Sequence, residues 1–291
     1  MTKNDHYKIW FFTNEKLNPF LKNLFTDKKL NLKKIFAIAS GGDFAFNLIS
    51  LLNLDKIDIC DIRPTTSLTI NIKKALFRNF KRLEIIKILS DIKSSNKDLI
   101  YKKLHQDLNP INKHILNTCR KNNFLKCLKK HKIWYNDSFW QIKDVDNHLL
   151  YLAHEKNFKQ LYHNLNKINI YNKSISEALV LSKNNYYDLI YVSNIFDGKI
   201  YCENEKLYLN RIKNSLKKNG YLLVSTFSNY KKVKKLIQNH GFKLYKEEFN
   251  KSNFLDIFKP SYCFSFLLFS ARGGSRARGG HGAFGGKNTK S

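Results

Sequence analysis

A pair of glycines followed about twenty residues later by an aspartate is the feature of this sequence best suited to chemistry. Gly41 and Gly42 come directly after a short apolar run, and Asp61 ends the next one. Glycines let a ligand approach the backbone, a helix N-terminus attracts anionic groups, and a carboxylate can hold two ribose hydroxyls. The spacing therefore predicts a nucleoside site. The turn lacks GxGxxG, which disfavours a dinucleotide, and lacks GKS or GKT, which excludes a P-loop.

The elements that must position this turn alternate between short apolar runs and amphipathic segments. Strands are predicted at 34–40, 56–62, 168–175, 187–195, 221–226, 242–247 and 262–270. Helices are predicted at 44–54, 65–80, 176–181, 203–218 and 231–240, the second opened by Pro64 and the fourth ended by Asn219-Gly220. The order predicts an α/β protein with a mostly parallel sheet. It resembles the Rossmann-like, seven-stranded fold of class I methyltransferase-like proteins.

The chain divides into a sheet domain and three further segments. Residues 31–80 and 166–270 are predicted to form the ligand-binding Rossmann-like domain. Residues 81–165 lack strand signals and are predicted to form a helical insertion, either a lid that binds the acceptor or an elaboration that packs on the sheet. Residues 1–30 are expected to form a helical flap. Residues 271–291 hold seven of the 12 glycines, which predicts a disordered tail.

The charge of the chain points to a polyanionic partner. With 52 Lys and Arg against 23 Asp and Glu, the formal net charge is +29, which favours nucleic acid or an anionic membrane surface. A lysine-rich composition that decorates every surface is the alternative. The five cysteines are dispersed without a CxxC pair, which favours a reducing compartment and no metal site. We expect a cytoplasmic protein, free or peripheral on a membrane.

Open α/β sheets bind ligands beyond the carboxyl ends of their strands, and four such ends are present. The residues expected there are Ser40, Gly41, Gly42, Asp43, Asp61, Ile62, Arg63, Ser174, Ile175, Ser193, Asn194 and Asp197. Asp61 could instead be a surface carboxylate at a strand end. Tyr191 lies within an apolar run and is predicted to belong to the core.

Three segments of the sequence carry a family resemblance. IFAIASGGDFAFNLI followed by DICDIRPTTSLTINIKKALF resembles the betaine-lipid synthesis family of S-adenosylmethionine:diacylglycerol 3-amino-3-carboxypropyltransferases, and YDLIYVSNIFDG is similar to a later strand of that family. The positions that match are Ser40, Gly41, Gly42, Asp43, Ala45, Asp61, Pro64, Lys73, Ala75, Ser193, Asn194 and Asp197. The sequence departs from the family pattern at Phe44, Arg63 and Thr66.

The resemblance implies an enzyme that uses S-adenosylmethionine as a co-substrate without a metal. It would move the 3-amino-3-carboxypropyl group to the hydroxyl of a diacylglycerol-like lipid at an anionic membrane surface and release methylthioadenosine. Residues 40–43 would contact the methionine part and the ribose, and Asp61 the ribose. The residues expected around the adenine are Ile62, Arg63, Ser174 and Ile175. Asn194 and Asp197 would face the transferred carbon, with Asp197 as the base or, alternatively, as a cap of the following segment.

Two other functions fit the same sequence. The first is an S-adenosylmethionine-dependent methyltransferase acting on RNA or protein, since methyl transfer uses the same pocket with the donor rotated. The second is an inactive, basic RNA-binding module with this fold. The Arg-Gly-Gly triplets at 272–274 and 278–280 would bind RNA in either case, or have no specific role.

Overall fold

The computed structural model describes residues 30–39, 41–90, 97–121, 149–193, 195–196, 205–226, 230–250 and 264–271. The expected N-terminal flap lies outside these residues except for its last position. The expected tail lies outside them except for Ala271.

Seven strands form one sheet in the order β3-β2-β1-β4-β5-β7-β6. Within the described residues β7 is antiparallel to both of its neighbours, and the pairs among β1 to β5 are parallel. This order is that of the Rossmann-like class I methyltransferase fold, so the fold class predicted from the sequence is confirmed. The strands are β1 (Lys34–Ile38), β2 (Lys56–Cys60), β3 (Ile168–Tyr171), β4 (Tyr187–Ser193), β5 (Leu216–Thr226), β6 (Lys243–Asn250) and β7 (Phe264–Ser270).

Helices connect the strands and cover both faces of the sheet. Their bounds in the described residues are α1 (Asp43–Leu51), α2 (Pro64–Asn79), α3 (Arg82–Ser90), α4 (Lys97–Asp107), α5 (Pro110–Lys121), α6 (Leu150–Ala153), α7 (Glu155–Asn164), α8 (Ile175–Val180), α9 (Glu205–Ser215) and α10 (Tyr230–Asn239). Five of them, α3 to α7, lie within 81–165, where the sequence predicts a helical insertion. A 3-10 turn, Leu165–Lys167, leads from α7 into β3.

Alternation along the strands divides the core into two clusters. Ile35 and Ala37 of β1 point to one face and pack with α1, α2, α6 and α7. Phe36, between them in sequence, points to the other face and packs with α8, α9 and α10. A sheet buried on both faces needs nearly continuous apolar strands, which explains the composition of β1 and β4.

Several predicted boundaries are off by a few residues, and at two of them the predicted type of element is wrong. The helix predicted at 203–218 ends at Ser215, and β5 begins at Leu216 and runs through Gly220. Gly220 is required by the strand pairing, because a Cβ there would lie 2.9 Å from the carbonyl oxygen of Tyr187. The strand predicted at 168–175 ends at Tyr171, because Ser174 caps the helix that follows.

Candidate functional site

The turn after β1 has a backbone conformation that requires glycine. Gly42 has φ +85°, in the left-handed region, and its N–H donates to the carbonyl oxygen of Ala39 at 2.6 Å. A Cβ at this position would lie 2.8 Å from Cγ1 of Ile70 in α2. The turn is therefore fixed both by its dihedral angles and by the helix packed against it, and α1 begins at the next residue.

Asp43 is fully buried, and its carboxylate is bound by two side chains from distant parts of the chain. Lys73 Nζ in α2 donates to Asp43 Oδ1 at 2.8 Å, and the Tyr151 hydroxyl in α6 donates to the same oxygen at 2.7 Å. Lys73 Nζ also donates to the carbonyl oxygen of Gly41 at 2.8 Å. Asp43 is therefore connected through Lys73 to the backbone of the glycine turn. The direct cofactor contact expected from the sequence stays a prediction.

Burial shifts the pKa values of two groups in this cluster. Removal from water lowers the pKa of Lys73, and the neighbouring Asp43 charge opposes that shift. Burial, with the Asp43 charge and hydrogen bond added to it, raises the pKa of Tyr151 well above its ordinary value. Tyr151 consequently remains a hydrogen-bond donor throughout the physiological pH range.

Asp61 lies directly after β2, with its carboxylate anchored on one side. Its Oδ1 accepts from the backbone N–H of Arg63 at 2.9 Å and from Arg63 Nε at 3.3 Å, as in an Asx turn. In the part of the chain that the structure describes, the side-chain hydrogen bonds of Asp61 all end on Oδ1. Asp61 is mostly buried, with 8% of its surface exposed.

The register brings the strand ends into one row. Ile38 of β1 pairs with Cys60 of β2, the residue before Asp61, and Ala37 pairs with Tyr191 of β4, two residues before Ser193. Neighbouring strands lie about 4.8 Å apart, so Asp61 and Ser193 flank the end of β1 at a separation of about 10 Å. This separation is comparable to the length of a nucleoside.

The remaining predicted residues have differing surroundings. Ile62 is 54% exposed beside Asp61 and presents an apolar surface, whereas Ile175 is buried in the sheet core. Ser174 caps α8: its hydroxyl accepts from the Glu177 N–H at 3.3 Å and bonds the Glu177 carboxylate at 2.7 Å. Of the predicted site residues, the following lie outside the described residues: Ser40, Asn194 and Asp197. The predicted catalytic pair thus stays a prediction.

Two aromatic residues complete the surroundings of the turn. Phe44 stacks on Tyr191 with ring centroids 3.9 Å apart, and the Tyr191 hydroxyl lies 3.2 Å from Ser225 Oγ in β5. Tyr191 is 1% exposed, which confirms its prediction as a core residue. Tyr151 was missed by the sequence analysis. The apolar run around it indicates burial, but nothing in one sequence indicates a partner 108 positions away.

The described ranges contain no group of three or more His, Cys, Asp or Glu residues that could hold a metal ion.

None of the helices in those same ranges is long and apolar enough to span a membrane.

Among known proteins, the likeness of this chain is to solved structures of low sequence identity. No protein-family model matches the sequence, and no curated protein matches it. Among solved structures the chain is similar to a SAM-dependent methyltransferase from Aquifex aeolicus, with 11% identity over 93% of this chain and 99% of that one and a TM-score of 0.43. It is also similar to the cyclase SpnF, with 7% identity over 92% of this chain and 88% of that one and a TM-score of 0.44.

Proposed function

We propose that this protein is an S-adenosylmethionine-dependent transferase whose co-substrate binds at the carboxyl edge of β1 and β2. The observation that carries the proposal is the position of Lys73. Its ammonium group bonds Gly41 and Asp43 at 2.8 Å each, although 30 residues separate Lys73 from Asp43. All three residues belong to segments whose sequence resembles the aminocarboxypropyltransferase family. These positions of the resemblance are therefore in contact in one buried cluster.

The residues at this edge fit a nucleoside. The Gly41–Gly42 turn allows close approach of a ligand, and α1 begins at the turn. Asp61 Oδ2 can accept from a ribose hydroxyl, and the exposed side chain of Ile62 offers an apolar surface for an adenine ring. S-Adenosylmethionine also carries a positive sulfonium. Both carboxylates have a cationic partner, Lys73 for Asp43 and Arg63 for Asp61, but Asp43 is fully enclosed whereas Asp61 keeps 8% exposure. Asp61 is therefore the carboxylate that a bound sulfonium could approach.

We further propose that the transferred group is 3-amino-3-carboxypropyl. In that reaction an acceptor oxygen bonds to the γ-carbon of the methionine part, the carbon–sulfur bond breaks, and its electron pair stays on the sulfur of methylthioadenosine. The hydroxyl proton must pass to a base, for which Asp197 is the candidate. Asn194 is the second residue that the resemblance assigns to the transferred carbon. The described residues would contribute chiefly by orienting the donor, since the sulfonium already supplies a good leaving group.

The acceptor proposed is a lipid hydroxyl at an anionic membrane surface. The net charge of +29 supports this choice, because each lysine or arginine near such a surface adds about 1 kcal/mol of attraction. Helix α10 contributes exposed lysines at Lys231, Lys232 and Lys235. Nucleic acid would be attracted by the same charges, so an experiment must distinguish a lipid acceptor from RNA.

The test follows two isotopic labels. The full-length protein is incubated with vesicles of diacylglycerol and anionic phospholipid and with S-adenosylmethionine labelled either in the carboxyl group or in the methyl group. We expect carboxyl label, and no methyl label, in the lipid fraction. Methyl label in lipid, added RNA or protein would contradict aminocarboxypropyl transfer and favour the methyltransferase. No transfer and no binding of S-adenosylmethionine would favour an inactive module.

A further inference from the structure

Helix α1, which follows the glycine turn, is held along its length by the helical insertion. At its start the Tyr151 hydroxyl of α6 donates to Asp43, and one turn later the Tyr151 backbone N–H donates to Asn47 Oδ1 at 3.4 Å. At its end Gln160 Nε2 of α7 donates to the carbonyl oxygens of Ile49 at 3.3 Å and Leu52 at 3.1 Å. The insertion therefore contacts the helix of the candidate site at both termini.

The direction of the Tyr151 hydroxyl is fixed by aromatic packing. The ring is fully buried and meets Phe46 and Phe77 edge-on, with centroids 5.5 Å and 5.4 Å away. Phe77 makes a further edge contact with Phe158 of α7 at 6.3 Å. The ring cannot rotate away without disturbing its packing against Phe46 of α1 and Phe77 of α2. Its hydroxyl therefore stays directed at Asp43.

We propose that Tyr151 is a positioning residue through which the helical insertion sets the conformation of the co-substrate turn. The path runs from the Tyr151 hydroxyl to the Asp43 carboxylate, then to the Lys73 ammonium and the carbonyl oxygen of Gly41. Each link is a buried hydrogen bond of 2.7 to 2.8 Å with at least one charged partner, the strong class of hydrogen bond. The inference rests on the proposed function, because it assumes that the turn binds S-adenosylmethionine.

Thermodynamic linkage makes the coupling reciprocal. If α6 stabilises the turn that binds the co-substrate, then bound co-substrate must stabilise α6 by the same free energy. An acceptor that orders the insertion would accordingly tighten the co-substrate site. If Tyr151 merely fills the core, bound co-substrate should not stabilise α6. This difference separates a positioning role from a packing role.

The direct test is Tyr151→Phe, which keeps the ring and removes the hydroxyl. We expect its affinity for S-adenosylmethionine, measured by calorimetry on the full chain, to fall about five- to twentyfold. Tyr162→Phe, on the exposed surface of α7, is the matched control and should bind like the wild type. Gln160→Ala removes the support at the far end of α1, so it should lower the unfolding free energy and leave affinity within about twofold.

The second readout is amide hydrogen exchange. The N–H groups of Leu152 and Ala153 donate to the carbonyl oxygen of Leu149 and report on the integrity of α6. In the wild type, S-adenosylmethionine should slow their exchange. In Tyr151→Phe at saturating co-substrate that slowing should be lost at α6 and retained at Gly42.

The outcomes separate the inference from the proposed function. A wild type that does not bind S-adenosylmethionine overturns both. A wild type that binds, with Tyr151→Phe equal to it in affinity and in exchange, overturns only the coupling. Should Tyr151→Phe be too unstable to purify, the exchange experiment on the wild type decides alone, and an α6 unaffected by bound co-substrate contradicts the inference.

Discussion

The Lys73 ammonium lies 2.8 Å from the Asp43 carboxylate, with their side chains 2% and 0% exposed. Transfer of two such charges from water is expensive, and the pair is tolerable because Tyr151 and the Gly41 carbonyl oxygen complete its hydrogen bonding. Such a buried pair adds little to the free energy of unfolding, but removing one partner alone lowers that free energy strongly. It therefore makes the geometry of the turn sensitive to single substitutions far away in sequence.

The first prediction concerns this ion pair. Lys73→Met keeps the length of the side chain and leaves Asp43 buried without its cation, so the free energy of unfolding in urea should fall by about 3–5 kcal/mol. Adding Asp43→Asn removes the orphaned charge, and the double variant should regain at least half of that loss. Glu155 pairs with Arg82 and is 59% exposed. Glu155→Gln should therefore lower the free energy of unfolding by less than about 1 kcal/mol. Equal losses at the two pairs would contradict this account.

The second prediction compares two glycines with the same backbone conformation. Gly42 and Gly241 have φ of +85° and +81°. Gly42→Ala adds a clash with Ile70 to the strain and should destabilise the protein by about 2–4 kcal/mol and weaken S-adenosylmethionine binding at least tenfold. At Gly241 a Cβ meets only the flexible end of Lys213, so Gly241→Ala should cost about 1 kcal/mol and leave binding unchanged. Wild-type affinity in Gly42→Ala would refute the assignment of the turn.

The third prediction concerns Asp61. Asp61→Asn removes the charge that would hold the ribose hydroxyls while keeping an oxygen for the Arg63 N–H, so affinity for S-adenosylmethionine should fall about 10- to 100-fold with little loss of stability. Asp55→Asn, at an exposed aspartate just before β2, is the charge-matched control and should bind normally. Undiminished affinity in Asp61→Asn, measured by calorimetry, would place the nucleoside elsewhere.

The fourth prediction is a pH dependence of stability. Burial, aided by the nearby charge of Arg78, lowers the pKa of Lys74 to about 8, whereas the unfolded side chain titrates at 10.5. Between these values the unfolded state binds more protons, so the Lys74 contribution to stability rises with pH and reaches its maximum above 10.5. Below about pH 8 that contribution is lost, because both states are protonated and the folded state carries a poorly solvated cation.

Lys74→Met isolates this contribution from other groups that titrate in the same range. Burial raises the pKa of the Cys60 thiol, and that group opposes the trend at high pH in both proteins. The stability of wild type minus variant should therefore increase by about 1–3 kcal/mol from pH 8 to pH 10.5. A difference that does not change with pH would show that Lys74 is solvated when charged.

Much of the fold could be predicted from sequence because β1 and β4 are nearly continuous apolar runs and β2 alternates. β1, β2 and β4 were found within a few residues of their bounds, and the glycine turn and Asp61 follow from them. Gly220 was misread as a helix stop because glycine has two uses, ending a helix or allowing close approach of two strands, and composition does not separate them. The Tyr151–Asp43 bond could not be predicted at all, since it depends on how an insertion packs across a helix.

The departure of Phe44 from the family pattern has a structural explanation. Its ring stacks on Tyr191, so the larger side chain is accommodated by the core at the start of α1. The departure therefore does not by itself remove the turn from the candidate site. It bears on what contacts the methionine part, because a phenylalanine side chain cannot form a hydrogen bond to it.

The central claim is transfer of the aminocarboxypropyl group, and the nucleoside released in the reaction tests it most directly. Full-length protein, S-adenosylmethionine and vesicles of diacylglycerol with anionic phospholipid are incubated together, and the nucleoside products are separated by chromatography, with Asp61→Asn as the matched control. We expect methylthioadenosine, formed in proportion to the modified lipid and strongly reduced in the control. S-Adenosylhomocysteine as the product would contradict aminocarboxypropyl transfer.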